Sequence, residues 1–179
     1  MGDINAIFKS YDIRGLYPQE IDEEVCRNIG YAFAKFLLEE DPLTSRIIVG
    51  VDMRLSSESL SDQFIKGIVS VGLDVIHLGL SSTDMLYYAS GSLESPGAIF
   101  TASHNPAEYN GIKLCRAYAA PIGEGSGLER IKNLSSTVIK VPDELNGTVT
   151  HLNLLEEFTD HVLSFVKPEV IAGKKIVVD

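Results

Sequence analysis

Apolar, β-branched runs alternate with amphipathic helical patterns along most of this chain, and this alternation limits the possible folds more than any other feature. Residues 47–51 resemble a strand that is buried on both faces, and residues 73–78 have the pattern of the next strand. Between them, apolar side chains recur every three or four positions, which predicts a helix that Ser56 can cap and Gly72 can end. Such an alternation indicates a largely parallel sheet with helices on both sides.

The same patterns continue on both sides of this unit. Apolar spacing predicts helices over residues 21–39, 83–92 and 128–134, and residues 98–101 form another strand-like run. We therefore predict an α/β protein, a three-layer α/β/α sandwich with a mostly parallel mixed sheet.

The C-terminal part of the chain has a different organisation. A helical pattern over residues 152–166 is followed by Pro168, which stops helices, and residues 174–179 have the composition of a new buried strand. No later element follows to cover that strand. We expect residues 1–150 to form the α/β/α domain, 151–168 a linker helix and 169–179 the start of a second α/β domain, so that the chain is the front part of a longer protein.

Charge and cysteine content limit the possible partners. The formal net charge is -10, which argues against binding to nucleic acid or to an anionic membrane surface. Cys26 and Cys115 are isolated, and no signal peptide or membrane-length apolar run is evident, which favours a cytoplasmic protein. Because the chain as a whole is negatively charged, any anionic ligand must be held by local positive charge.

The segment from Thr101 to Lys113 is the richest in reactive side chains. Ser103 lies beside His104, and Lys113 follows two turn-forming dipeptides, Asn105-Pro106 and Asn110-Gly111. A serine hydroxyl becomes a nucleophile or a phosphate carrier when a base and a cation are close to it. We expect the chain to turn back here and to bring Lys113 near Ser103.

Other polar residues follow the predicted strands, where α/β sheets bind their ligands. Asp52 and Arg54 follow the first buried run, and Ser81, Ser82 and Thr83 follow the second. For Arg54, an ion pair with Asp52 is favoured over a role at the site. Near the N-terminus, Arg14 provides another cation, and with Lys113 it is expected to flank Ser103.

Four segments together resemble the α-D-phosphohexomutase family, which comprises phosphoglucomutases and phosphomannomutases. They are the segments 11–15 (Tyr-Asp-Ile-Arg-Gly), 49–54 (Val-Gly-Val-Asp-Met-Arg), 101–113 and 175–179, and they occur in the family's order. Tyr109-Asn110-Gly111 is most similar to the phosphomannomutase branch. Ser82-Thr83-Asp84 departs from the proline-flanked threonine of many members, which puts the subgroup in doubt more than the chemistry.

The resemblance implies an enzyme that moves phosphate between C1 and C6 of a hexose phosphate, mannose or glucose, through a bisphosphorylated intermediate. Ser103 would carry the phosphate, with Lys113 and Arg14 binding the transferring group and the substrate. His104 would be a general acid/base or a phosphate donor, Tyr11 a further catalytic residue, and Asn110 a substrate-binding residue.

The resemblance also implies cofactors and partners. It implies Mg²⁺, to which this chain would contribute only the phosphate on Ser103. Hexose 1,6-bisphosphate would be the activator, and the remaining domains of the same protein would complete the site. The chain alone is therefore expected to be inactive as a mutase.

Less specific interpretations stand beside these. A Ser-His pair near Asn-Pro is by itself usually only a turn, and Tyr11 is equally compatible with a core position. His77 at a strand end, and His151 and His161 near an exposed helix, are expected to be structural, and residues 123–127 to be a mobile loop. Two other functions remain open, a non-catalytic sugar-phosphate sensor with the same fold and a stand-alone flavodoxin-like ligand module.

Overall fold

The computed structural model describes residues 4–138 and 140–177. Helices and strands alternate through this part of the chain, as the sequence predicts. In chain order the elements are α1 (Ile4–Ile7), β1 (Ile13–Leu16), α2 (Glu23–Glu40), β2 (Arg46–Val51), α3 (Ser57–Val69), β3 (Asp74–Leu80), α4 (Thr83–Ser92), β4 (Gly97–Phe100), β5 (Tyr109–Cys115), α5 (Leu128–Thr137), β6 (Val149–His151) and α6 (Leu155–Leu163).

The strands of the described residues form one mixed sheet in the order β1-β5-β4-β2-β3-β6. Strands β4, β2, β3 and β6 are parallel, whereas β5 is antiparallel to both β4 and β1. The chain leaves β2 in one direction to form β3 and returns on the other side of β2 to form β4. The loops after these three strands therefore open at the same edge of the sheet, at the position where α/β proteins bind ligands.

Alternate residues of the central strands divide the core into two apolar layers. Ile47 and Val49 of β2 pack with α2, α3 and α5, whereas Ile48 between them packs with α4 on the opposite face. Ala98 and Phe100 of β4 likewise face the first layer and Ile99 the second. Burial on both faces explains why these strands are apolar runs, and it confirms the predicted three-layer α/β/α arrangement.

Two details at the ends of α3 differ from the prediction. Ser56 precedes this helix, but its side chain makes no capping hydrogen bond to the helix backbone. Its hydroxyl instead accepts a hydrogen bond from the Asn110 amide at 2.8 Å. The helix ends at Val69, and Gly72, with φ of +97°, forms the turn that follows it.

Strand β5 was not predicted, because Asn110-Gly111 has the composition of a turn. The turn lies earlier, in residues 101–108, and Asn110 and Gly111 are strand residues paired with Gly15 and Arg14 of β1. Gly111 is needed for close approach and not for a turn, since a Cβ atom there would lie 2.4 Å from the backbone oxygen of Ile13.

The C-terminal part departs further from the prediction. His151 is the last residue of β6, shortly before the exposed helix α6, and it pairs with His77, which lies within β3 and not at its end. Helix α6 is shorter than the predicted 152–166, and none of its described residues is buried. Residues 174–177 form no strand in the described part of the chain, and 178–179 lie outside it. The strand of a second domain therefore stays a prediction.

Candidate active site

Residues 101–108, named the serine loop, join β4 to β5 at the carboxyl edge of the sheet. Ser103 lies exposed in this loop with a φ of +52°, the left-handed region that non-glycine residues rarely adopt. Its backbone N–H donates to Thr101 Oγ1 at 3.0 Å, and its hydroxyl lies 3.5 Å from His104 Nδ1. The predicted serine and histidine are thus side by side, and their loop turns the chain back as expected.

The largely buried side chain of Arg54 binds the backbone of the serine loop. Its guanidinium donates four hydrogen bonds to backbone carbonyls in or next to the loop, at distances of 2.7–2.9 Å. Asn105 adds a bond inside the loop, from its side-chain amide to the carbonyl of Ala102 at 2.7 Å. The predicted ion pair between Arg54 and Asp52 is present at 3.3 Å, but the sequence interpretation missed the contacts with the loop.

A buried polar network supports Asp52 in turn. Its Oδ1 accepts the Ser57 hydroxyl at 2.7 Å and the Arg54 backbone N–H at 3.0 Å. The Asn110 side-chain amide donates to both Ser56 and Ser57, and Asn110 is completely buried. The structure therefore places Asn110 beneath the loop. Substrate binding by Asn110 stays a prediction, and its contacts favour a supporting role.

Arg14 and Lys113 come together on the neighbouring strands β1 and β5. Asp12, which sequence reasoning missed, lies between them, 3.3 Å from Arg14 and 3.4 Å from Lys113. Both cations keep about a third of their side-chain surface exposed, at 32% and 28%. Among the described contacts neither cation touches Ser103, so their expected position on both sides of the serine stays a prediction. Tyr11 is 81% exposed, which rules out the core position.

A cavity of about 560 Å³ opens beside Ser103 at the carboxyl edge of the sheet. Its walls come from the loops after β2, β3 and β4, from the start of α4 and from α6. The lining residues are Asp52, Met53, Leu80, Ser81, Ser82, Thr83, Asp84, Met85, Ile99, Thr101, Ser103, Leu155 and Phe158. The cavity is large enough for a small polar ligand.

Metal-binding side chains are sparse in this arrangement. Within residues 4–138 and 140–177, no three histidine, cysteine, aspartate or glutamate residues meet as a potential metal site. Asp52 lies on the cavity wall, but its oxygens are directed at Arg54 and Ser57. A hard cation would therefore need additional oxygen ligands from outside these residues. Of the helices that the structure describes, none is long and apolar enough to cross a bilayer.

A family comparison agrees with this fold. The sequence model of phosphoglucomutase/phosphomannomutase, alpha/beta/alpha domain I, matches residues 5–138. The chain belongs to this phosphoglucomutase/phosphomannomutase family. The match contains the serine loop, Arg14, Arg54 and Lys113, and it confirms the resemblance seen in the sequence.

The chain spans about 37% of the length of the first relatives that it matches. It is 37% identical over 173 residues to a phosphomannomutase from Vibrio cholerae, covering 96% of this chain but 37% of that relative. A phosphomannomutase sequence from Klebsiella pneumoniae is 40% identical over 156 residues, covering 86% of this chain and 96% of the relative. The solved structure of a putative phosphomannomutase from Thermus thermophilus superimposes with a TM-score of 0.81 at 27% identity, covering 95% of this chain and 38% of that one.

Proposed function

We propose that Ser103 is the phosphate carrier of a phosphohexomutase that interconverts hexose 1-phosphate and hexose 6-phosphate. The observation that carries the proposal is the placement of an exposed serine, with left-handed backbone in a hydrogen-bonded loop, on the wall of the cavity at the carboxyl edge of the sheet. A hydroxyl held in this way meets substrate without rearrangement of its loop, which favours transfer by positioning. The names of the relatives support mannose phosphate as a substrate.

The proposed transfer uses the residues of the chain in distinct roles. In the forward step a sugar hydroxyl attacks the phosphorus on Ser103, the bond between phosphorus and Ser103 Oγ breaks, and a new bond to the sugar oxygen forms. His104, whose Nδ1 lies 3.5 Å from Ser103 Oγ, is placed to give a proton to the departing serine oxygen. The sugar hydroxyl gives its proton to water as it attacks, and His104 regains a proton in the return step, when it accepts the one that leaves the Ser103 hydroxyl. In the reverse step the bisphosphorylated sugar returns its other phosphate to Ser103.

Positive charge for this transfer is supplied by Arg14 and Lys113. A phosphoserine carries about -1.5 to -2 charges near neutral pH, and the sugar phosphate adds more. In the described residues Asp12 already neutralises part of the charge of this pair. We therefore expect one of the two cations to turn from Asp12 to the phosphate when the site is loaded, since each keeps an exposed surface.

Mg²⁺ fits this proposal only in part. When bound, the ion would neutralise charge on the transferring phosphate. The phosphate on Ser103 would provide one oxygen ligand, and the other ligands would come from outside the described residues, which contain no metal cluster. The sugar-binding groups are likewise expected outside, because the chain spans 37% of the Vibrio cholerae relative.

The test replaces Ser103 in the complete gene product that carries this chain. Interconversion of mannose or glucose 1- and 6-phosphate is measured with Mg²⁺ and hexose 1,6-bisphosphate present. Ser103→Ala is expected to remove nearly all turnover, whereas Ser92→Ala, at the far end of α4, should retain it. Normal turnover by Ser103→Ala would reject the proposal. Sugar-phosphate binding without any interconversion by the wild type would favour the non-catalytic sensor instead.

A further inference from the structure

We propose that Arg54, oriented by Asp52, is a positioning residue that fixes the backbone of the serine loop for phosphoryl transfer. This inference rests on the proposed function, because it assigns a role in the transfer at Ser103. The Arg54 side chain is only 10% exposed and is directed at the backbone carbonyls of the loop.

The contacts of Arg54 span nearly the whole serine loop. One terminal nitrogen donates to the carbonyls of Ser103 and Asn105, at 2.9 and 2.7 Å. The other donates to the carbonyls of Pro106 and Tyr109, at 2.7 and 2.9 Å. Hydrogen bonds from a cation are about twice as strong as neutral ones. One side chain thus binds carbonyls from Ser103 to Tyr109, which covers the second half of the loop and the start of β5 as well as Ser103 itself.

These contacts also decide which way the peptide groups of the loop face. The carbonyl and N–H of a trans peptide point in opposite directions. Because the Ser103 carbonyl points to Arg54, the N–H of His104 points away from it, and among the described residues this N–H donates to no backbone acceptor. The negative ends of four peptide dipoles are gathered around Arg54. A phosphate on Ser103 is repelled by carbonyl oxygens and attracted by N–H groups, so this orientation favours it.

The surroundings of Arg54 exclude direct substrate binding. Its four terminal N–H groups are used by the loop carbonyls, and Nε lies 3.3 Å from Asp52 Oδ2. The side chains of Arg54 and Asp52 are only 10% and 13% exposed, whereas Arg14 is 32% exposed and uses one terminal nitrogen for Asp12. Arg54 therefore acts through the serine loop, and Asp52 compensates its charge.

The test compares two arginines at opposite ends of β2 in the complete gene product. Arg54→Lys keeps the charge but loses the forked donor geometry. Arg46→Lys is the matched control, since Arg46 also binds backbone and hydroxyl oxygens of a loop, the carbonyl of Leu93 and Ser95 Oγ, far from Ser103. Hydrogen exchange is followed at the amides of Asn105 and Tyr109, which bond within the serine loop. Steady-state kcat and KM are measured on the same proteins.

For Arg54→Lys we expect exchange at these two amides to accelerate at least about tenfold, because charge-assisted bonds that close the loop are lost. A misplaced serine should lower kcat about 100-fold and change KM little. Arg46→Lys should change neither quantity. If Arg54→Lys fails to fold, Asp52→Asn provides the same test, since an asparagine oxygen can still accept from Ser57 while the charge opposite Nε is lost.

The outcomes separate this inference from the proposed function. Unchanged loop exchange in Arg54→Lys overturns the inference, whatever the activity. Faster exchange in Arg54→Lys with an unchanged kcat also overturns the inference, because loosening the loop would then not slow phosphoryl transfer. An inactive wild type rejects the proposed function, and it overturns the catalytic part of the inference even if the exchange arm shows that Arg54 holds the loop.

Discussion

Helices α2 and α3 approach each other so closely at Gly30 that one added methyl group is expected to destabilise the fold. A Cβ atom on Gly30 would lie 2.0 Å from the backbone oxygen of Phe64, at least about 1.4 Å short of the 3.4 Å of an ordinary contact. The reciprocal position, Gly67, would place its Cβ 2.2 Å from the oxygen of Arg27. Because both obstacles are backbone atoms, a rotamer change cannot relieve them.

The magnitude for Gly30→Ala follows from two opposing effects. Alanine is favoured over glycine inside a helix by about 1 kcal/mol. Overpacking costs about 1–3 kcal/mol, and the rigid backbone obstacle places this site at the upper end of that range. We therefore expect a net loss of about 2 kcal/mol in the free energy of unfolding, which lowers Tm by about 4–8 °C in a domain of this size.

The assay is urea and thermal unfolding of the chain, followed by circular dichroism. Gly91→Ala is the matched control, because Gly91 lies in α4 and a methyl group added there would have no other atom within 4 Å. It should gain up to about 1 kcal/mol from helix propensity alone. Equal or higher stability of Gly30→Ala, with the expected gain in Gly91→Ala, would refute the close contact between α2 and α3.

Three further substitutions test other parts of the structure by urea unfolding. Asn110→Ala should lower the free energy of unfolding by about 2 kcal/mol, since it removes a buried amide and leaves its partners unpaired, and an unchanged value would contradict the buried network. Burial, as the larger cause, and the neighbouring His151 lower the pKa of His77 below its ordinary 6.5. The folded state therefore binds fewer protons than the unfolded one, and stability should fall as pH drops from above 6.5 toward the folded pKa. His77→Phe should reduce this loss, and an unchanged pH dependence would argue against it. Glu40→Gln weakens a partly exposed ion pair with Arg116 and should cost less than about 1 kcal/mol, so a larger loss would mean that this pair is more than a surface contact.

The central elements were predicted well because apolar residues recur along the sequence at the positions that are buried in each helix or strand. Residues 47–51 of β2 are apolar since both faces of the strand are covered after the exposed Arg46, and α4 was predicted with the bounds that the structure has, Thr83–Ser92. Strand β5 was missed because Asn110-Gly111 is by itself a turn-forming pair. In the fold, pairing with β1 and the buried hydrogen bonds of Asn110 outweigh this local preference. Local composition cannot report such long-range pairing.

The contact between Ser103 and His104 could be predicted from their sequence positions, but the residues that support the loop could not. The roles of Ser103, His104 and Lys113 in phosphate transfer stay predictions. The loop contacts of Arg54 were missed because its partners are backbone carbonyls, which every residue has, and no sequence pattern identifies them. Asp12, which directly precedes β1, was missed as the acid between two cations because β5, which carries Lys113, was not predicted.

The most direct test of the central claim locates the phosphate on the protein. The complete gene product is incubated with hexose 1,6-bisphosphate and Mg²⁺, digested, and analysed by mass spectrometry for phosphopeptides. The proposal predicts one phosphate on Ser103, and this phosphate should be lost to the sugar when hexose monophosphate is added in excess. Interconversion of the sugar phosphates with no phosphate on Ser103, or with phosphate on another residue, would contradict it.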